Sequence, residues 1–307
     1  MRLGLSWLSL GIILVLGLTA ATAQADAPKG GPEGDALLDL PGWARTAYGI
    51  LTLVGVGLLI GALSVVLARG DLVKQVRPNF TPWSPVEVLI LGFVWYLLRT
   101  LPLGLIVVVG GTPAQDIPMA VRFATDLSAA LVVMLMGLWG IHRRFGVAAD
   151  SLGFRKERWW VALGLALATL LAMLPLRVLV GVLLDEFGVR DVRQPVVERM
   201  LTDISGVDLA IACASAVLLA PVIEEFLFRG LLQMSLRRYV GPWGAVFLGG
   251  VLFAAIHQPW PIAVALLPLA WILGYLYQRR QSLLAPILLH MLFNALTLTL
   301  VVLARLS

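Results

Sequence analysis

Four polar residues interrupt the apolar second half of this sequence and could do chemistry together: Glu224, His257, His290 and Asn294. A carboxylate beside an imidazole can hold and deprotonate a water molecule, which is the general-base half of a hydrolysis. An imidazole and a carboxamide four residues apart share a helix face and can stabilise the oxyanion that forms when water attacks a carbonyl. Because no Ser or Cys lies with them, these residues favour peptide hydrolysis by activated water over an acyl-enzyme route.

A metal-dependent version of this chemistry is open as well. If a divalent metal such as zinc is present, Glu224, His257 and His290 are its candidate ligands, and the metal would lower the pKa of its bound water. A metal-free mechanism that relies on the glutamate uses the same side chains. The spacing of the residues does not distinguish between the two.

Glu225 and Arg229 are predicted to support this site. They lie four residues apart with the acid first, which is the favoured order for an ion pair within a helix. Two unshielded adjacent carboxylates in a low dielectric would not both stay ionised, so pairing of Glu225 with Arg229 would leave Glu224 free to face the histidines. The alternative is a purely structural ion pair.

The elements that position these residues are predicted to be membrane-spanning helices. Of the 307 residues, 60% are hydrophobic and 13% are charged, and the mean hydropathy is +0.92. Stretches of about 20 apolar residues can cross a bilayer as helices, so we predict an all-α, polytopic transmembrane bundle. About eight spans are expected, near residues 46–68, 86–109, 117–141, 159–184, 208–236, 243–258, 261–278 and 283–304.

The polar residues are predicted to lie at a similar depth in the bilayer. Counted from Arg237, Trp243 and Gln281 at the ends of their spans, Glu224, His257 and Asn294 lie 13, 14 and 13 residues in, or about 20 Å. His290 lies about 14 Å in by the same measure. Ionisable groups at such depth are costly and mark functional sites. Taken singly, either histidine could equally be a hydrogen-bonded packing residue.

Other segments complete the predicted domain organisation. Residues 1–25 are predicted to be a signal peptide, with an extra membrane helix as the alternative, and residues 26–45 a flexible polar segment. Residues 46–207 form the N-terminal membrane helices, and residues 208–304 the catalytic helical core. Within the N-terminal helices, Arg122 and Asp126 are predicted to form an ion pair. Arg99 and Arg177 either snorkel towards the membrane surface or line a cavity.

Charge indicates orientation rather than nucleic-acid binding, although the net charge is +5. One set of alternate loops carries 12 Lys and Arg residues and the other carries 6, so the first set is predicted to be cytoplasmic. With a cleaved signal peptide, both ends of the mature chain would lie outside. The pattern is typical of a protein of the bacterial inner membrane, with the lipid bilayer as its surroundings and no nucleic-acid partner.

The sequence resembles the type II CAAX prenyl endopeptidases and their bacterial relatives, the CPBP (Abi) family of intramembrane proteases. The resemblance rests on three ordered motifs of that family, Glu-Glu-x-x-x-Arg, Phe-x-x-x-His and His-x-x-x-Asn. They match Glu224-Glu225-Phe-Leu-Phe-Arg229, Phe253-Ala-Ala-Ile-His257 and His290-Met-Leu-Phe-Asn294. Each motif alone is weak, whereas the ordered set, within residues 208–304, is specific.

This resemblance implies roles for individual residues. Glu224 with His257 would activate water, His290 with Asn294 would form the oxyanion site, and the site would open to the cytoplasm. Members are often labelled metalloendopeptidases, and a metal-free glutamate mechanism also fits the family. The implied substrate is a membrane-bound or lipid-linked protein or peptide. The oligomeric state is left open.

Two other functions compete with an endopeptidase. A proton-coupled transporter also uses buried Glu and His residues, but it predicts repeats with interrupted helices in both halves, and the first half has no counterpart to Glu224-Glu225. A non-catalytic membrane immunity or scaffold protein would keep its activity after Glu224→Gln.

Overall fold

The computed structural model describes residues 40–70, 81–155, 157–189, 206–257 and 259–306. The predicted signal peptide and most of the predicted flexible segment lie outside these residues. The described part of the chain is a helical bundle without β-strands, which confirms the predicted fold class.

Four long helices precede the segment with the candidate site. They are α1 (Gly42–Arg69), α2 (Pro85–Val108), α3 (Met119–Phe145) and α4 (Trp159–Glu186). The first begins four residues earlier than predicted, so residues 42–45 are helical rather than part of a flexible segment. Pro41 directly precedes its first turn, a position where the missing N–H of proline costs no helical hydrogen bond.

The segment with the two adjacent glutamates is one long helical run. It consists of α5 (Gly206–Ala214), α6 (Ala220–Glu225) and α7 (Met234–Ala255), joined by π-helical segments at Ser215–Leu219 and Phe226–Gln233. Two further helices follow, α8 (Trp260–Arg280) and α9 (Leu284–Leu306).

Seven helices in the described residues are long and apolar enough to cross a membrane, so the chain is an integral membrane protein. The predicted fifth and sixth spans fall within a single 50-residue run, residues 206–255. That run is broken at Gly241, whose φ of 72° and ψ of 174° are not helical, and Pro242 follows. Glycine tolerates this backbone conformation, and proline cannot donate a helical hydrogen bond. The break falls between the two predicted spans, 208–236 and 243–258.

A close contact joins α1 to α4. A Cβ atom on Gly55 would lie 2.0 Å from the carbonyl oxygen of Leu171 and 2.9 Å from Cδ of Pro175. Because Pro175 has no N–H, the carbonyl of Leu171, four residues earlier, lacks its usual helical partner. The absence of a side chain at Gly55 therefore lets α1 approach the proline-modified face of α4.

Several connecting segments that were predicted to share one side of the membrane meet at one end of the bundle. Glu87 at the start of α2 pairs with Arg144 at the end of α3 at 2.5 Å. Glu157 before α4 accepts a 2.7 Å hydrogen bond from Nε of Arg280 at the end of α8. This end carries the basic loops, and its cytoplasmic location stays a prediction.

Asp126 has a partner that sequence spacing did not indicate. Its carboxylate pairs with Nε of Arg99, from the neighbouring helix α2, at 3.2 Å. The predicted partner Arg122 also acts on Asp126 electrostatically, and its Nε donates to the carbonyl of Ile117 at 3.2 Å. The prediction of a pair within one helix was therefore incomplete, because a tertiary partner also reaches the same carboxylate.

Candidate active site

Glu224 and Glu225 lie at the end of α6, between the two π-helical segments. A π turn inserts an extra residue into an α-helix and occurs frequently at functional sites. Here it changes the rotation of the helix immediately before and after the paired carboxylates. The carbonyl of Leu231, within the second π segment, accepts a 3.1 Å hydrogen bond from the buried indole N–H of Trp83.

The carboxylate of Glu224 faces two histidines. Its Oε2 lies 3.9 Å from Nε2 of His257 and 3.9 Å from Nε2 of His290. These separations are too long for direct hydrogen bonds, and a polar contact of this length suits a bridging water molecule. The Glu224 side chain is 12% exposed, so it is largely buried but still accessible to a water molecule.

His257 lies on the connection between α7 and α8, not within a helix. The prediction that places it inside a span at 243–258 is wrong in this detail, because α7 ends at Ala255. Pro259 and Pro261 follow, and proline cannot continue a helix that would need its N–H. Nδ1 of His257 lies 2.8 Å from the carbonyl oxygen of Phe253. A carbonyl only accepts, so Nδ1 carries a proton, and Nε2 is left to face Glu224.

His290 connects the two glutamates. Its Nδ1 lies 3.0 Å from Oε1 of Glu225, and its Nε2 faces Glu224. Glu224 therefore faces both histidines as expected, and His290 in addition pairs with Glu225 through the opposite side of its ring, which the spacing did not indicate. Glu225 thereby fixes the orientation of the imidazole, as carboxylates commonly do for functional histidines.

Glu225 and Arg229 form the predicted ion pair, at 3.2 Å between Oε2 and Nε. Both side chains are buried, and Nη2 of Arg229 donates to the carbonyl oxygen of Ala270 in α8 at 3.2 Å. The guanidinium lies 4.3 Å from the ring centroid of Phe253, a distance typical of a cation–π contact. Arg229 therefore balances the charge of Glu225 while linking α8 to the site.

Phe253 is fully buried at the centre of these residues. Its ring centroid lies 4.8 Å from that of His257 and 5.7 Å from that of His290. Phe228 packs against it edge-on at 5.2 Å. The side chain thus packs against both imidazoles and against the guanidinium of Arg229.

Asn294 lies one turn beyond His290, as expected from the spacing. Its Nδ2 donates a 2.8 Å hydrogen bond to the carbonyl oxygen of Ala216, in the first π-helical segment. This contact ties α9 to the helical run that carries Glu224 and occupies one of the two N–H groups of the carboxamide.

The described residues do not fit a zinc site. No group of three or more His, Cys, Asp or Glu side chains among them is arranged to hold a metal ion. A zinc ion about 2.1 Å from Oε2 of Glu224 and from either Nε2, which lie 3.9 Å away, would require an angle of about 136°, against about 109° for tetrahedral coordination. The candidate ligands are therefore too far apart as they stand.

Comparison with known proteins identifies one family. Residues 206–296 match the family model described as Type II CAAX prenyl endopeptidase Rce1-like. The match confirms the resemblance carried by the three motifs. It begins at the first residue of α5, ends two residues after Asn294 and includes none of α1 to α4. Searches of curated proteins and of solved structures found no match.

Proposed function

We propose that this chain, whose residues 206–296 match type II CAAX prenyl endopeptidases, is an intramembrane endopeptidase that activates water with Glu224. The family match supports a CAAX-type intramembrane endopeptidase. The observation that carries the mechanism is the convergence of His257 and His290 on one carboxylate, each with Nε2 at 3.9 Å from Oε2 of Glu224.

In the proposed reaction a water molecule occupies the gap beside Glu224. It donates one hydrogen bond to the carboxylate and the other to Nε2 of His257, which is an acceptor because Nδ1 holds the proton. Glu224 takes a proton from the water as its oxygen attacks the carbonyl carbon of the scissile peptide bond. The π bond of the carbonyl opens, and its electron pair moves to the oxygen.

His290 is proposed to stabilise that oxyanion. Nδ1 of His290 donates to the carboxylate of Glu225 at 3.0 Å, and Nε2, when it also carries a proton, can donate to the developing negative charge. The second N–H of the Asn294 carboxamide is a candidate second donor. When the intermediate collapses, the C–N bond breaks, and the departing amine takes the proton held by Glu224.

The substrate is proposed to be a membrane-bound or lipid-linked peptide. The seven helices that are long and apolar enough to cross a membrane support a substrate of this kind, and the Lys and Arg distribution favours the bacterial inner membrane with the site open to the cytoplasm. No step of this scheme passes through a metal, because the described side chains do not provide the coordination geometry.

The test compares wild type, Glu224→Gln and His290→Ala in liposomes. The probes are a farnesylated peptide ending in a CAAX-type sequence and an unprenylated transmembrane peptide, with products identified by mass spectrometry. We expect wild type to cleave at least one probe and both variants to lose about 100-fold or more of its rate, as general-base and oxyanion groups typically contribute.

Asp126→Asn is the matched control, because it neutralises another carboxylate of a membrane-spanning helix that pairs with Arg99, away from the histidines. It should retain wild-type cleavage. Equal processing of the probes by wild type, Glu224→Gln and His290→Ala would contradict the proposed function and favour a transporter or a non-catalytic scaffold.

A further inference from the structure

Arg177, in a membrane-spanning helix, pairs with no carboxylate among the described residues. It lies in α4, nine residues before the helix ends at Glu186, and is partly exposed. Its Nη1 donates to Oγ1 of Thr297 at 2.9 Å, and its guanidinium carbon lies 5.4 Å from the ring centroid of Phe293. Its charge also acts on the buried phenol of Tyr48. All three neighbours are neutral, so they do not balance the positive charge.

Two other arginines of membrane-spanning helices differ in this respect. Arg99 pairs with Asp126, and Arg229 pairs with Glu225, each at 3.2 Å. A charge inside the membrane is costly and is usually balanced by a partner of opposite sign. The environment of Arg177 therefore suits an anion supplied by a bound molecule.

Thr297 places this arginine in line with the candidate active site. Along α9, His290, Asn294 and Thr297 follow one another at intervals of four and three residues. Residues at i, i+4 and i+7 lie on one face of an α-helix. A single polar stripe therefore leads from the imidazole that contacts both glutamates to the hydroxyl that holds Arg177.

The length of this stripe suggests how a peptide could occupy it. Thr297 lies seven residues beyond His290, which is about 10 Å along the helix axis. An extended peptide covers about 3.3–3.6 Å per residue, so about three residues would span this distance. A peptide cut beside His290 could thus end at Arg177.

We propose that Arg177 binds the terminal carboxylate of the substrate segment that hydrolysis releases. A guanidinium presents five N–H donors in a planar fork that matches a carboxylate, and Thr297 engages one nitrogen of the fork. A substrate segment whose C-terminus lies inside the protein supplies such an anion, because its terminal carboxylate is negatively charged. The inference rests on the proposed function, and Arg177 and Thr297 lie outside the matched residues 206–296.

The test measures equilibrium binding, so that it does not depend on turnover. Fluorescent peptides with either a free terminal carboxylate or a terminal amide are titrated against the Glu224→Gln protein in neutral liposomes. We expect the acid to bind about 10- to 100-fold more tightly than the amide, the range expected for hydrogen bonds to a charged group. Adding Arg177→Gln should remove this preference by weakening binding of the acid alone.

The chain offers matched controls. Arg99→Gln removes another arginine of a membrane-spanning helix and should keep the preference for the acid, whereas Arg177→Lys should keep part of it because the charge remains without the planar fork. Arg177→Gln strands no described carboxylate, so the variant is expected to fold, and unchanged binding of the amide would verify this.

The possible outcomes test the proposed carboxylate site independently of the proposed hydrolysis. Equal binding of acid and amide, or a preference that survives Arg177→Gln, overturns the proposal even if wild type cleaves peptides. An effect of Arg177→Gln limited to binding of anionic lipid in mixed liposomes also overturns it and assigns the guanidinium to a headgroup. Preferential binding of the acid without any cleavage by wild type would support the carboxylate site and contradict the proposed hydrolysis.

Discussion

Removal of the Arg229 guanidinium should destabilise the whole bundle, because it leaves the charge of Glu225 buried. Unit charges 3.2 Å apart attract by about 5 kcal/mol at an effective dielectric constant of about 20. Breaking a buried pair from one side typically costs about 3–5 kcal/mol. The hydrogen bond from Nδ1 of His290 to the same carboxylate, at 3.0 Å, stays in place in the variant and keeps the expected loss at the lower end of this range. We therefore expect Arg229→Met to lower the free energy of unfolding by about 3 kcal/mol.

The measurement is an SDS unfolding titration of the purified protein in mixed micelles. The double variant Glu225→Gln/Arg229→Met removes both charges and should recover at least about 1 kcal/mol relative to Arg229→Met alone, as expected for directly coupled residues. Arg144→Met is the control, since its exposed pair with Glu87 should contribute only about 0–1 kcal/mol. Wild-type stability of Arg229→Met, or strictly additive effects in the double variant, would refute the reasoning.

Two further predictions concern packing and metal dependence. Gly55→Ala should lower the free energy of unfolding by about 1–3 kcal/mol, because its Cβ would overlap the carbonyl oxygen of Leu171; Gly57→Ala, with nothing within 4 Å of its added Cβ, should be close to neutral in the same SDS titration. Cleavage of the liposome-bound probes should persist in the presence of a chelator, because the Glu224 and histidine atoms are spaced for a bridging water molecule. Loss of cleavage on chelation and its recovery with Zn²⁺ would instead indicate a metal site.

The spacing of residues along the sequence was sufficient to predict the membrane-spanning helices and an ion pair within one helix. Apolar stretches of about 20 residues predicted the membrane helices, and the four-residue interval between Glu225 and Arg229 predicted their ion pair. Both features depend on the geometry of a single helix, which is regular enough to be inferred from residue positions alone.

Contacts between distant segments were harder to predict. The contact of His290 with Glu225 depends on how α9 packs against α6, and the pairing of Asp126 with Arg99 on how α3 packs against α2. Neither has a signal in the spacing of one helix. The two prolines after His257 did offer a signal, since they indicate that the preceding helix must end.

The π-helical turns on either side of Glu224 and Glu225 make the length of this stretch a constraint in its own right. Loss of one residue between positions 226 and 233 would turn everything beyond it by about 100° relative to the carboxylates. Arg229 or Phe253 would then face away even though no functional side chain had been exchanged. Evolution in this region should therefore proceed by substitution, with insertions and deletions confined to positions such as the break at Gly241.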